Sequence, residues 1–580
     1  RGDAGDGGGL DGAPDRVTRP SGDARGDAPV GTADAAADAH LRADARVVAD
    51  AADAGPDVPA DTRVASDAAA DARSDGPGHA GDASVDVGPL CTLGTAVNCA
   101  ACGDPACTLA NTLTACTSAD QCGRAVCAVG FGNCNASSLD CETSFAAGGT
   151  CLPRYEGTTA FATDYTYASS TAIGTDGSFF LAGQFRGTVD FDPTGAHDVH
   201  SAVSSSDIAV FITKLNADGS YAWTRSFSEP GVALGAVAAA ADGAVVAVGV
   251  FNGAIDLDPG PGVDLHESGT TQSNQALVVK LAADGSEVWG RTFEGTQDRS
   301  YSSADAVAVD ATDAVYVAGI FTSEVDFDPG PGMELRTAPL VGDAMLVKLT
   351  AAGDFSWVQT INNRDCHTQL WSLAVATDGT VWGVGWTGMG PMCDDLPSSG
   401  PGSEPLIAAY SAAGDARGVW ELPPAQFPAY GFAVAAGPNG SVYVGGQASG
   451  LIDLDPGSGV ATRWAGASQS GFVEKLAPDA SLIWAQALPG LSVSGLAATD
   501  DGGALIGGYG PNAVVAKLGP DGAPGWTFAT GGPTGSADSV AVRGSSFAVA
   551  GASQGSGDFD PGPGTQIFTG DIRFLSRFDF

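Results

Sequence analysis

The chain has 580 residues, a formal net charge of −42 and a sequence pI near 4.1. It is too long for one compact domain. Its acidity excludes proteins that neutralise phosphates with a basic surface or adsorb to anionic membranes. No stretch approaches the ~18 uninterrupted apolar residues of a transmembrane helix.

The first zone, 1–88, is built mostly from Ala, Asp, Gly, Pro and Arg, with no aromatic residue. Such a segment cannot bury enough apolar surface to offset its ordering entropy, so a disordered acidic stalk is expected. As a flexible coil it would span roughly 50 Å, enough to hold a domain off a surface. The chain opens on Arg1 rather than Met, so a missing targeting segment says nothing against export.

The second zone, 89–152, carries Cys91, Cys99, Cys102, Cys107, Cys116, Cys122, Cys127, Cys134, Cys141 and Cys151. An even number of cysteines in a short, loop-rich stretch reads as a disulfide module standing in for a hydrophobic core. Zinc is the rival, because Cys99 and Cys102 have ligand spacing; only all-Cys sites are available, since no histidine lies between His79 and His197. The run from Cys127 to Cys134, continuing to Asp140-Cys141-Glu142-Thr143, resembles Cys-rich modules of bacterial surface lipoproteins.

From 153 to 580 one unit recurs. Its first half is an apolar hairpin, as in Ala306–Asp310 followed by Val315–Gly319. Relatives lie at 171–185, 236–251, 372–386, 432–447, 494–509 and 538–552, making seven copies. Its second half is a strand ending in Lys-Leu, a polar turn, and a strand opening on Trp, as in Lys280 to Trp289. Trp223, Trp289, Trp357, Trp420, Trp484 and Trp526 fall at that position, and Lys214, Lys280, Lys348, Lys475 and Lys517 mark the Lys-Leu step. Each unit predicts four short strands, here a, b, c and d.

The expected fold is therefore all-β, a seven-bladed β-propeller of four-stranded blades, which protects its sheet edges by radial repetition. The last strand, Arg573 to Phe580, reads as a c strand without a d; Arg154 to Phe161 reads as a d strand without a, b and c. Paired, they would close the ring. Each tryptophan is expected to dock on the neighbouring blade.

The repeat resembles the bacterial seven-bladed propeller repeat family (SBBP-type). The residues that carry the resemblance are the Val-Asp-Phe-Asp-Pro-Gly-Pro-Gly insertion and the Lys-Leu…Asp-Gly…Trp hairpin. It implies a surface or secreted location and no assigned chemistry. Copy four departs from it at Cys393-Asp394-Asp395-Leu396-Pro397, and copy six lacks the insertion. The Asp-Gly…Trp pattern also resembles the docking motif of quinoprotein-type propellers, but without their Thr-Gly.

The insertions carry the candidate site. Asp190 and Asp192, Asp256 and Asp258, Asp326 and Asp328, Asp453 and Asp455, and Asp558 and Asp560 form Asp-x-Asp pairs, each followed by Pro. Residues i and i+2 of a strand share a face, so each pair presents two carboxylates opposite Phe191, Leu257, Phe327, Leu454 or Phe559. Two readings stand: calcium, which needs six to eight oxygens, or a Pro-Gly type II turn with the Asp bonding local N–H groups. His197 and His200 form an H-x-x-H, with His200 aligned to His266, and read as exposed loop polars. Cys366 and Cys393, the cysteines outside the second zone, are expected to form a disulfide across two connections of one face.

The leading function is a non-catalytic binding or adhesion scaffold on the cell surface or secreted, with a glycan or protein as its unknown ligand. A lipid anchor upstream of Arg1 would fit it. The alternative is a secreted carbohydrate-active propeller, lyase or glycosidase, using insertion-loop Asp residues as acid and base.

Overall fold

The structure is a computed structural model. It describes residues 152–580 apart from 163–165, 193–194, 269–273, 298–299, 363–365, 389–402, 423–427, 467–468 and 511. Before 152 it describes the strands Thr112–Ser118, Gln121–Cys127, Phe131–Gly132 and Thr143–Ser144. The stalk expected at 1–88 lies outside the described residues, as does most of the cysteine zone.

The described chain is all-β. In the second copy, Ala233–Ala239, Val245–Asn252, Asn274–Leu281 and Glu287–Gly295 pair in chain order as antiparallel strands a, b, c and d. Strand b is buried along nearly its whole length, whereas strand d is only partly buried. This explains the unbroken Val-Val-Ala-Val-Gly-Val-Phe run: a middle strand is covered on both faces by neighbouring units and needs no polar side.

The innermost strands are Thr166–Ile173, Ala233–Ala239, Tyr301–Val309, His367–Val375, Tyr430–Ala436, Gly495–Ala498 and Thr534–Arg543. Each packs on the next, and Thr534–Arg543 packs back on Thr166–Ile173. Buried apolar residues gather between successive units rather than at one centre. The ring closes where Ile572–Asp579 pairs with Arg154–Ala162, with Phe578 opposite Tyr155.

Hydrogen-bonded continuity does not divide this ring into separate four-stranded sheets, as the repeat predicts. Four sheets have four strands, one has eight and one has six. The eight-stranded sheet joins copies two and three, because Glu294 and Gly295 at the end of one d strand pair with Asp326 and Val325. The six-stranded sheet arises because Phe131–Gly132 pairs with Thr527 and Trp526 on the outermost strand of copy six, and Thr143–Ser144 adds beyond it.

The units are fastened through their c–d turns. Trp223 Nε1 donates to Ala283 O at 3.0 Å, Trp289 to Ala351 at 3.1 Å, Trp357 to Ala412 at 3.2 Å and Trp484 to Pro520 at 2.9 Å. Each carbonyl belongs to the turn of the following unit. Arg225 and Arg291 add bonds of 2.9 Å from Nε to Gly285 and Gly353. The turn glycine has a left-handed backbone, φ 81° at Gly285 and 80° at Gly353, and the indole lies across it.

The pattern fails at two places for visible reasons. The turn facing Trp420 holds Ala480, a non-glycine at φ 64°, where the other turns have glycine; Trp420 instead stacks on Trp382, ring centroids 5.9 Å apart. Copy seven has no covalent c–d turn, because its d strand comes from the start of the repeat region. Trp526 rests on Phe528 and Phe547 there.

Replacing Ala480 by Gly should stabilise the protein by about 1 kcal/mol, since an L-residue in the left-handed region carries a penalty of that order. The checking measurement is urea unfolding of Ala480→Gly against the parent. An unchanged or lower midpoint would contradict the strain.

Candidate functional site

Each acidic insertion is a short ribbon in the b–c connection. Thr188–Asp190 pairs with Val199–Ser201, Ala254–Asp256 with Leu265–Glu267, Leu451–Asp453 with Thr462–Trp464, and Ser556–Asp558 with Ile567–Thr569. In copy three the b and c strands themselves run on into the ribbon, Asp326 opposite Leu335. The ribbons' apolar residues are fully buried: Phe191, Leu257, Phe327, Leu454 and Phe559 each expose 0%. Ile255 and Leu257 sit with Trp223 and Phe227 of the preceding unit. The ribbon thus fills the outer part of the wedge that opens between diverging sheets.

The carboxylates hold the ribbon's tip. Asp256 Oδ1 accepts the N–H of Asp258 at 3.1 Å and of Asp264 at 2.8 Å. Asp326 does the same for Asp328 and Glu334, Asp453 for Asp455 and Ala461, Asp558 for Asp560 and Gln566, and Asp190 for Asp192 and Asp198. The second Asp takes the N–H of the residue after Pro: Asp258 from Gly260 at 2.7 Å, Asp328 from Gly330 at 2.9 Å, Asp455 from Gly457 at 2.8 Å and Asp560 from Gly562 at 2.7 Å.

The type II turn expected from Pro-Gly is not what forms. None of these glycines has a left-handed φ. The second glycine of the tip, after Pro or Ser, is needed for space. A Cβ there would lie 1.9 Å from Asp258 Oδ2 at Gly262, 1.9 Å from Asp328 Oδ2 at Gly332 and 2.0 Å from Asp455 Oδ2 at Gly459. Among the described residues no three His, Cys, Asp or Glu side chains gather in a geometry that would hold a metal ion.

The histidines are not exposed loop polars, with one exception. His200 and His266 are half-buried and lash their ribbons to the outermost strand. His266 Nδ1 is 3.2 Å from Thr292 Oγ1 and its Nε2 is 3.2 Å from Asp264 Oδ2; His200 stands 2.7 Å from Ser226 Oγ. The exposed one is His197, 2.5 Å from Asp190, which raises the imidazole pKa and lowers that of the carboxyl. Cys366 is buried and disulfide-bonded. Cys393 lies outside the described residues.

Two carboxyls beside the ribbons are held protonated toward neutral pH. Burial, then a hydrogen bond and repulsion from Asp264, push Glu287 up to about 7. Glu474, on strand c of copy five, is 0% exposed, and neither of its oxygens has a hydrogen-bond partner. Burial raises its pKa well above the usual range, and the charges of Asp455 and Asp453 add to the shift.

A second place of asymmetry lies at the axis. The innermost strands carry β-bulges at Ser169, Gly235, Asp305, Trp371, Phe432 and Asp538. A bulge re-aims one side chain per strand, and only Trp371 and Phe432 of this set are aromatic. Their rings stack 5.2 Å apart at an angle of 9°. Tyr430 lies 5.9 Å from Phe432 and 6.1 Å from Trp371, closing a triangle of rings, and Trp386 meets Trp371, Tyr430 and His367. Repeat reasoning passed over this cluster because its residues differ between copies. The available signal was tryptophan out of register: of Trp371, Trp382, Trp386 and Trp464, three fall in copy four.

No protein-family model matches the chain, and no curated protein matches it. Solved structures do. BamB from Moraxella catarrhalis is 12% identical over 74% of this chain and 100% of its own, with a TM-score of 0.35. A Dos1 propeller is 8% identical over 74% and 95%, with a TM-score of 0.36. A protein of unknown function from Bacteroides caccae is 10% identical over 55% and 89%, with a TM-score of 0.30.

The ribbon geometry makes two substitutions unequal. Gly332→Ala drives a methyl into Asp328 and should cost about 1–2 kcal/mol; Gly330→Ala meets only a 3.1 Å contact and should cost less. A type II turn would reverse that order, so paired urea titrations decide.

Glu474 predicts a pH slope. Its folded pKa is raised, so the stability it leaves intact is fully present below the unfolded pKa of about 4.3. Above that pH the unfolded chain ionises while the folded chain keeps its proton, and stability falls by about 1.4 kcal/mol per unit until the folded pKa is reached. Glu474→Gln should remove that slope and be the more stable protein at pH 8. Parallel unfolding curves for the two proteins from pH 4.5 to 8 would refute it.

Proposed function

We propose that this chain is a seven-bladed propeller of the SBBP-type repeat class, acting as a non-catalytic binding scaffold on the cell surface or in the secreted state. Cutting the two fused sheets at their two-residue junctions leaves seven four-stranded units. The cyclic packing of the seven innermost strands supports that count. A Cys366–Cys393 disulfide, and disulfides within 89–152, belong to the same proposal and suit an oxidising location.

The observation that carries the binding role is a repeated exposure. Beside the buried Leu257, Phe327 and Leu454, the same ribbons hold large apolar side chains out in water. Val263 is 78% exposed, Met333 73% and Val460 80%. All three follow the second glycine of the Pro-Gly or Ser-Gly tip. Scattered apolar residues on a surface need no explanation, but recurrence at one ribbon position in three units favours a contact surface. The b–c connections share a face because antiparallel strands reverse direction, so these tips stand among the carboxylates on one side of the ring.

The experiment is retention of the full chain on a glycan and protein array, with and without Ca²⁺, read also for product release. The scaffold reading expects retention without product, and a loss of at least tenfold on combining Val263→Ser, Met333→Ser and Val460→Ser. Product release, or retention indifferent to those substitutions, overturns it. Equal retention with and without Ca²⁺ assigns the Asp pairs to turn chemistry alone.

A further inference from the structure

The axial cluster of copies three to five has a chemistry that the ribbons lack. His367, Gln369 and Trp371 lie two residues apart on one innermost strand. His367 Nδ1 is 2.8 Å from Val341 O, so that nitrogen carries the proton, and burial favours the neutral ring. Its Nε2 is then an acceptor. The neighbour of Nε2 is Gln369 Oε1, at 3.4 Å, which is an acceptor too. With Asp305 ionised, Gln369 turns its amide nitrogen to Asp305 Oδ2 at 2.7 Å and its oxygen to His367; burial raises the Asp305 pKa. Ser303 Oγ donates to the other oxygen of Asp305, also at 2.7 Å. Two acceptors thus face each other with no proton between them. Nearby, Trp386 is 5% exposed and its Nε1 has no acceptor.

We propose that this axial corner binds a pyranose ring of a neutral saccharide, with Trp371, Phe432 and Tyr430 as the stacking wall and Gln369, His367 and Asp305 as the hydroxyl-reading edge. A sugar hydroxyl donates one proton toward the facing pair, Nε2 of His367 and Oε1 of Gln369. The C–H face of a pyranose is apolar and flat, which suits half-buried aromatic rings. Charge narrows the class. A protein of net charge −42 disfavours acidic sugars. The asymmetry is part of the argument: at the same bulge position copy two has Gly235 and copy seven Asp538. This site is independent of the ribbon tips and goes beyond the scaffold reading.

The test uses the full chain and neutral hexasaccharides of β-1,4-glucose, β-1,4-xylose, β-1,4-mannose and β-1,4-N-acetylglucosamine, with hexagalacturonate as the acidic control. Binding is read by tryptophan fluorescence and by calorimetry. At least one neutral sugar should bind and perturb the fluorescence. Gln369→Ala and Phe432→Ala should each weaken it tenfold or more with the melting temperature nearly unchanged, whereas Trp484→Phe, at a blade-docking position, should leave affinity intact. Gln369→Ala removes no buried apolar group and guards against a folding artefact in Phe432→Ala. The proposal falls if no neutral sugar binds, if hexagalacturonate binds as well, or if both variants bind like the parent. It falls alone if sugar binding responds to the triple ribbon variant and not to Gln369→Ala; the scaffold reading falls alone in the opposite case.

Discussion

The ring depends on an indole N–H reaching a carbonyl in the next unit's last turn. One such bond is worth about 1 kcal/mol net, so its weight lies in repetition and placement. The indole needs a turn that offers an outward carbonyl and no side chain beneath it, which a left-handed glycine supplies. An arginine or glutamine two residues on takes a second carbonyl of that turn, as Arg291 and Gln359 do at Gly353 and Gly414. Three lysines of the Lys-Leu step, Lys214, Lys348 and Lys475, lean on aromatic rings of their own units and reach the same turns. Units joined in this way are registered against their neighbours at the outer edge, where the sheets are farthest apart.

That divergence sets the second constraint. Flat sheets arranged around an axis leave wedges that widen outward, and a wedge must be filled with something apolar. Among the described residues ribbons fill it in five units, with Val-x-Phe, Ile-x-Leu or, in copy seven, Gly557-x-Phe559 turned inward. The Asp pairs are the covalent economy of that device: two carboxylates satisfy three backbone N–H groups of a tip that has no strand beside it. Where copy six has no ribbon, its outermost strand instead pairs with Phe131–Gly132, and an edge that would stand open is covered.

The order of pairing within a unit and the closing partner of Phe578 were legible, because they rest on the repeated unit and its two incomplete ends; the ribbon strands and the fused sheets were not. Period-two alternation and the Trp register survive any local variation. The turn type was not legible: Pro-Gly is compatible with several backbones, and the choice was made by Asp328 packing against Gly332, a contact between residues four apart. The role of His266 was missed because its partner Thr292 lies on another strand. The aromatic corner at Trp371 was invisible for the opposite reason from the ring: it occurs once, and repeats train the eye on what recurs. Glu474 is a further case, a single carboxylate at a position that is Thr213, Val279 or Val347 in other units.

Closure by Arg154–Ala162 also has a mechanical side. The first strand of the ring region lies outermost in the last sheet, held to Ile572–Asp579 along eight residue pairs. Tension drawn along that strand from its N-terminal end loads those pairs together, in shear. Tension drawn across it opens them singly, like a zip. The same bonds therefore resist a pull parallel to the sheet far better than one perpendicular to it, so the direction of load, as well as its size, decides when the ring comes apart.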